Sequence, residues 1–387
     1  LTMVPPAIGK LIVLAIGTSM WIWMQAYVKV QIGLHGSAIL IPKNRTEPKE
    51  FSNSTYGNHE YAELGNIKIH YVKKGCDNNK DRIILLLHGF LDFWFIWNRQ
   101  IPALADEFCV VAPDLRGYGN TTRPDDTAEY LMKYLIEDLK KFIEYLNPNS
   151  TREVVLVGHD WGAMISFCFA TLHEELINKM IIINGMHPVA FRKQLLTSIR
   201  QMKMSWYMFP FRHPTVPEQY LILDDFTFFD QIHKVFTEDE QYAHKYMFSQ
   251  KGALTGALNY YRAFNNDSEQ LQKLPYRKIN KTTLILWGEQ DEYLTTRVAR
   301  NNREWLKTST MVYYPKAGHW LLRECASDVT NHIRKFAQKM EMVTLGCGEE
   351  ETPGEKCVSS TKPSRNPINK LLPSFLSEIP LFKSTSE

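Results

Sequence analysis

Five short runs, at 67–72, 83–87, 109–112, 154–157 and 180–183, are apolar along most or all of their length. A strand that is apolar on both faces has to be covered on both, which is the situation of a parallel sheet between layers of helices. Residues 127–146 and 161–173 carry helical spacing, so the chain from about 64 to 187 reads as alternating strand and helix. From about 188 to 276 that rhythm stops, in a stretch rich in Phe, Tyr and Met. It resumes with a strand at 283–287, a helix near 296–306, a strand at 311–314 and a last helix at about 325–340. The expected architecture is α/β: a mostly parallel sheet covered by helices on both faces, with a set of helices inserted into it.

Gly158-His159-Asp160-Trp161-Gly162 stands where the run at 154–157 ends and a helix begins. A strand-turn-helix corner of this kind presents its central residue as a nucleophile, and glycines flank it because the sharp turn leaves little room. Here the central residue is aspartate. A serine attacking an sp3 carbon would leave an ether that water does not readily cleave. A carboxylate leaves an alkyl ester, which activated water hydrolyses at the carbonyl carbon. Asp160 therefore points to an electrophilic sp3 carbon, as in an epoxide or an alkyl halide; the competing reading is a residue that merely caps the helix.

Asp291, in Trp287-Gly288-Glu289-Gln290-Asp291, and His319, in Ala317-Gly318-His319-Trp320, follow in the order nucleophile, acid, base, each just past a strand. Singly they read equally well as a helix cap and a loop histidine. The ordered set carries the expectation that His319, oriented by Asp291, activates water. The backbone N–H groups of Phe90 (in Leu87-His88-Gly89-Phe90) and Trp161 are expected to form an oxyanion hole. Nucleophile, acid and base are all side chains, so neither a metal nor an organic cofactor is expected.

Taken in order, HGFLDFWFIW, DLRGYG, GHDWG, WGEQD and AGHW resemble the epoxide hydrolases of the soluble type, most of all their subgroup with an N-terminal membrane anchor. The resemblance spans roughly 60–340 and implies the α/β-hydrolase fold with the insertion as a helical lid. It also implies two lid tyrosines that protonate the epoxide oxygen. Leu258-Asn259-Tyr260-Tyr261-Arg262 matches the second tyrosine motif and points to Tyr261, while Ser205-Trp206-Tyr207 makes Tyr207 the candidate for the first. Leu91 stands where the family usually carries proline, so a loop set there by a cis bond would be set differently here.

Residues 11–28 form an uncharged run of about the minimum length for one membrane-spanning helix, with Trp21, Trp23 and Tyr27 placed like an interfacial belt. A cleaved signal peptide is the rival reading. Lys29, Lys43, Arg45 and Lys49 follow the run, against Lys10 before it. The expectation is a single-pass membrane protein of the endoplasmic reticulum with its catalytic domain facing the cytosol. The organisation is then an anchor at 1–32, a linker at 33–60, a hydrolase core at 61–187 and 277–340, a lid at 188–276 and a disordered tail at 341–387. Six cysteines without paired-motif spacing fit reduced thiols. A net charge of +3 with no basic run interleaved with aromatics argues against nucleic acid as a partner. The expected partners are water and a lipophilic epoxide, such as an epoxy fatty acid, given the aromatic lid (Phe209, Phe211, Phe226, Phe228, Phe229). Two rivals stay open. One is a haloalkane dehalogenase, whose nucleophile motif also reads HDWG but which often has Asn where this chain has Phe90. The other is a catalytically weak lipid-binding member of the fold.

Overall fold

The computed structural model describes residues 6–76, 80–266, 271, 273–338 and 350–351. Among these, one sheet is built from β1 (Asn58–Glu63), β2 (Lys68–Lys74), β3 (Arg82–Leu87), β4 (Cys109–Pro113), β5 (Glu153–His159), β6 (Lys179–Ile183), β7 (Thr282–Gly288), β8 (Ser309–Tyr314) and β9 (Glu350–Glu351). The spatial order is β1-β2-β4-β3-β5-β6-β7-β8-β9. β1 and β2 are antiparallel to their neighbours, and every pairing from β4 through β9 is parallel. Each strand expected from an apolar run forms, with ends shifted by at most two residues. β1 was not expected, and it starts inside the stretch assigned to the linker. Its sequence buries only Ala62, so it has no apolar face to betray it; it is held by its antiparallel register on β2. The tail from 341 lies outside the described residues, apart from the two that pair with β8.

Among the described residues, the helices before β7 include α1 (Pro6–His35), α2 (Gln100–Leu104), α3 (Met132–Leu146), α4 (Trp161–His173), α5 (Pro188–Thr197), α6 (Ile199–Met204), α7 (Val216–Ile232), α8 (Glu238–Ser249) and α9 (Ala253–Asn266). α4 buries every residue from Trp161 to Thr171, as a helix apolar all round must. It lies between β5 and α3, and α3 turns Leu135, Ile136, Leu139, Phe142 and Ile143 inward at helical spacing. Phe167 on α4 is fully buried, and truncating it to alanine would cost about 3–5 kcal/mol. From β6 to β7 the described chain contains helices α5 to α9 and no strand. α7 is broken midway, where Asp224, Asp225 and Phe226 take left-handed backbone angles.

The N-terminus corrects the sequence reading. Among the described residues no helix is long and apolar enough to cross a membrane, which overturns the single-pass anchor and the endoplasmic-reticulum orientation built on it. The helix itself forms, but α1 lies along the insertion. Met20, Met24 and Val28 are buried, Trp21 stacks on His213 with ring centroids 4.0 Å apart, and Trp23 meets Trp206 and Tyr220 edge-on. The aromatics that looked like an interfacial belt are packing contacts within the protein. A second correction concerns the cysteines. The antiparallel register of β2 and β4 brings Cys76 beside Cys109, and the two form a disulfide. Replacing both by serine is expected to lower stability by about 2–5 kcal/mol, measured by denaturant melts against the oxidised protein.

Candidate active site

Asp160 occupies the N-cap position of α4 at the end of β5 without a side-chain capping bond, and its φ of 52° with ψ −116° is a strained backbone conformation that favours glycine. The Phe90 N–H donates to its Oδ1 at 2.8 Å, and the Trp161 N–H also bonds to the carboxylate. The corner is packed without slack. A Cβ on Gly89 would fall 2.6 Å from the Asp160 Cβ, and one on Gly162 would fall 2.5 Å from the Leu87 carbonyl oxygen. Side chains at either position would push the loop after β3 away from the corner.

His319 follows β8 and places Nε2 3.7 Å from Asp160 Oδ2 and Nδ1 2.9 Å from Asp291 Oδ2. Asp291, in the loop after β7, is almost saturated with donors. Its Oδ1 accepts from the Tyr293 and Leu294 N–H groups at 2.7 and 2.9 Å, and Oδ2 also accepts from Asn184 Nδ2 at 2.7 Å. These bonds leave the acid one orientation. Burial disfavours the charged imidazole of His319, but Asp291, Asp160 and Glu292 outweigh it and raise its pKa to about 9. Burial raises the Asp160 carboxyl above its usual value, against the pull of His319 and the two backbone donors.

These groups open into a small cavity, part of it open to solvent. Phe90, Leu91, Asp160 and His319 line it from the sheet side, and Tyr207, Phe211 and Tyr261 from the insertion. The rings of Tyr207 and Tyr261 stand nearly perpendicular with centroids 5.9 Å apart. Burial, with the negative charge of Asp160 nearby, raises both phenols, so both hold their protons. Of the phenylalanines picked from the insertion, Phe211 and Phe228 line the cavity; Phe209, Phe226 and Phe229 do not.

Leu91 takes φ 57°, a value proline cannot adopt, and no cis peptide bond occurs among the described residues. The loop is thus built another way, and the Phe90 N–H still reaches Asp160. Two further residues escaped the sequence reading. Asn184 follows β6 with φ 39° and links the acid to the sheet, since its Oδ1 accepts from the Gly288 N–H at 3.0 Å. Tyr293 lines the cavity, its ring 4.8 Å from that of His319 and 5.7 Å from that of Tyr207. An Asn-Gly pair directly after an apolar strand was the available signal for Asn184. Nothing in the sequence marked Tyr293 beyond its place two residues after Asp291.

Comparison with known proteins agrees with this architecture. Residues 82–324 match a family model described as the alpha/beta hydrolase fold. "Epoxide hydrolase 2" of Caenorhabditis elegans is 30% identical over 299 residues, covering 75% of this chain and 82% of its own. "Epoxide hydrolase 4" of Homo sapiens is 32% identical over 307 residues, covering 76% and 82%. Among solved structures, an epoxide hydrolase of Bacillus megaterium in complex with an inhibitor superposes with a TM-score of 0.65 at 29% identity, over 72% of this chain and all of the other. The parallel sheet, the aspartate corner at the end of β5 and these relatives lead to one conclusion: the chain belongs to the α/β-hydrolase family and, within it, to the epoxide hydrolases.

Proposed function

We propose that the protein hydrolyses lipophilic epoxides to vicinal diols through a covalent ester on Asp160. The observation that carries this reading is the arrangement of an aspartate, not a serine, under two protonated phenols in one largely apolar cavity. An Asp160 oxygen attacks the less hindered epoxide carbon, the carbon–oxygen bond breaks, and Tyr207 and Tyr261 donate to the oxygen as it becomes an alkoxide. That oxygen stays on the substrate as the first hydroxyl. His319 then removes a proton from water, and the water oxygen attacks the ester carbonyl carbon. The oxyanion so formed is the former Oδ1, which lies 2.8 Å from the Phe90 nitrogen and is also met by the Trp161 N–H. As the intermediate collapses, the departing oxygen takes the proton from His319 and leaves in the diol, while the remaining acid proton returns to the phenol and the carboxylate is restored.

In this cycle the carboxylate oxygen that attacked the epoxide leaves with the product, and the oxygen of water enters Asp160. A single turnover in H218O with enzyme in excess is therefore expected to give diol without label and Asp160 with it. Label in the diol at the first turnover would mean that water attacks the epoxide directly. The halide reading makes the opposite demand of the cavity, because a leaving halide needs N–H donors and no acid. Parallel assays of an epoxide and an alkyl halide of equal chain length decide between them. Epoxy fatty acids are the proposed substrate class, on the apolar lining given by Phe90, Leu91, Phe211, Phe228 and Ile232.

The charge balance implies a pH signature. Alkylation removes the negative charge of Asp160, one of the groups that hold His319 up at about 9. The imidazole then loses its proton more readily in the ester than in the resting enzyme. A base must be unprotonated, so ester hydrolysis is expected to speed up as pH rises and to level off below pH 9, as followed by stopped-flow tryptophan fluorescence. Asn184→Ala is expected to slow the same step while sparing ester formation. Loss of one donor to a buried carboxylate costs about 1–3 kcal/mol, which is about 5- to 150-fold if felt wholly in the barrier.

A further inference from the structure

Behind the loop that carries Phe90 lies a second cluster of ionisable groups that the proposed reaction does not use. Asp92 sits in that loop, His233 at the C-terminal end of α7 and His244 on α8, and all three are fully buried. Their donor atoms lie within 4.8 Å of one another. The hydrogen bonding among them does not close. His244 Nδ1 meets the Glu240 carbonyl oxygen at 2.7 Å, and that oxygen can only accept, so Nδ1 carries the proton. A neutral His244 then turns the lone pair of Nε2 toward Asp92 Oδ1, itself an acceptor, at 3.0 Å. The same conflict recurs next to it. His159 Nε2 donates to the His319 carbonyl oxygen at 3.1 Å, which leaves Nδ1 facing Asp92 Oδ2 at 3.9 Å. Asp92 Oδ2, His159 Nδ1 and both ring nitrogens of His233 have no hydrogen-bond partner. Leaving a buried polar atom unsatisfied costs about 1–3 kcal/mol, so this cluster calls for something positive at its centre.

We propose that Asp92, His233 and His244 bind a divalent transition-metal ion, with zinc the best fit, which ties the helical insertion to the loop beneath it. Two imidazoles and one carboxylate are a frequent zinc ligand set, whereas calcium and magnesium prefer oxygen ligands. Zinc bonds of about 2.0–2.2 Å in tetrahedral geometry put ligand atoms about 3.3 Å apart, close to the 3.0 Å between His244 and Asp92. The Glu240 carbonyl fixes the His244 ring from behind, as outer partners of metal-bound histidines do. Both ring nitrogens of His233 are buried without a hydrogen-bond partner, so this imidazole has a lone pair to offer. His159 Nδ1, also without a hydrogen-bond partner, lies 3.9 Å from Asp92 Oδ2 and is the candidate fourth ligand. Arg323 is held by Glu240 at 3.5 Å, which offsets its charge at the edge of the cluster. The ion would be structural, since it joins two helices of the insertion to the residue two places beyond Phe90.

The full chain, produced with zinc in the medium and dialysed, is expected to hold about one zinc per molecule by elemental mass spectrometry. Exchange with cobalt should give the visible absorption of a tetrahedral nitrogen–oxygen site, and chelation should lower the melting temperature. The double variant Asp92→Asn/His233→Ala should hold less than about a tenth of the metal, with cobalt spectra of the unmutated protein standing in if that variant does not fold. A protein that takes up neither ion when both are supplied in excess, and whose melting temperature ignores them, would show that His244 is simply an imidazolium paired with Asp92. Equal metal in the double variant would place the ion elsewhere. Either result overturns the site.

Discussion

His319→Gln is expected to convert the enzyme into a stable covalent ester of Asp160 after one round with an epoxide. A carboxylate attacks without a base, so the first step survives; water activation does not, so the second stalls. Loss of a general base typically costs about 10²–10⁴-fold, and turnover should fall by at least that. Intact-protein mass spectrometry should show the chain heavier by one substrate molecule, with peptide mapping placing the adduct on Asp160. Asp160→Ala should show no adduct and no turnover. An adduct on another residue, or turnover by Asp160→Ala, would end the ester mechanism. Asp291→Asn should resemble His319→Gln in weaker form, because Oδ2 at 2.9 Å both orients His319 and supports its positive charge.

The paired variant Tyr207→Phe/Tyr261→Phe should fail in the other half of the cycle. Both phenols keep their protons, and removing both deprives the alkoxide of its two proposed donors in a largely apolar cavity. Ester formation is expected to slow by about 10²–10⁴-fold, with each single variant less affected because its neighbour remains. Single-turnover quenching measures it: the doubly substituted protein should accumulate no ester. Unchanged ester formation would remove the phenols from the chemistry. Alkyl halide turnover retained by the pair would favour the dehalogenase.

The difference between what the sequence disclosed and what it hid follows from the range of the interactions. β3 to β8 are buried on both faces, so each announces itself as an apolar run, and the corner at Asp160 is confined to five consecutive residues. Asp291 and His319 were legible because loops at strand ends deliver them in a fixed chain order. β1 was hidden because backbone pairing, not apolar content, holds it. Asn184 acts across 107 positions on Asp291, and no local pattern encodes such a pairing. The 76–109 disulfide depends on strand register, which cysteine spacing alone does not reveal. α1 misled for a more general reason. Composition records that a helix is apolar, but not whether lipid or protein covers it; here Met20, Met24 and Val28 face the protein.

That placement of α1 bears on how the protein can be shortened. Gly17 lies so close to the insertion that a Cβ there would stand 3.1 Å from the Phe209 Cβ, and Trp23 packs on Trp206, the neighbour of Tyr207. A chain trimmed to start after residue 35, as one would trim a dispensable leader, would bare Trp206 and Tyr220 and unfasten the short turn that aims Tyr207 into the cavity. Such trimming is therefore expected to lower the melting temperature and to slow ester formation, the step assigned to Tyr207.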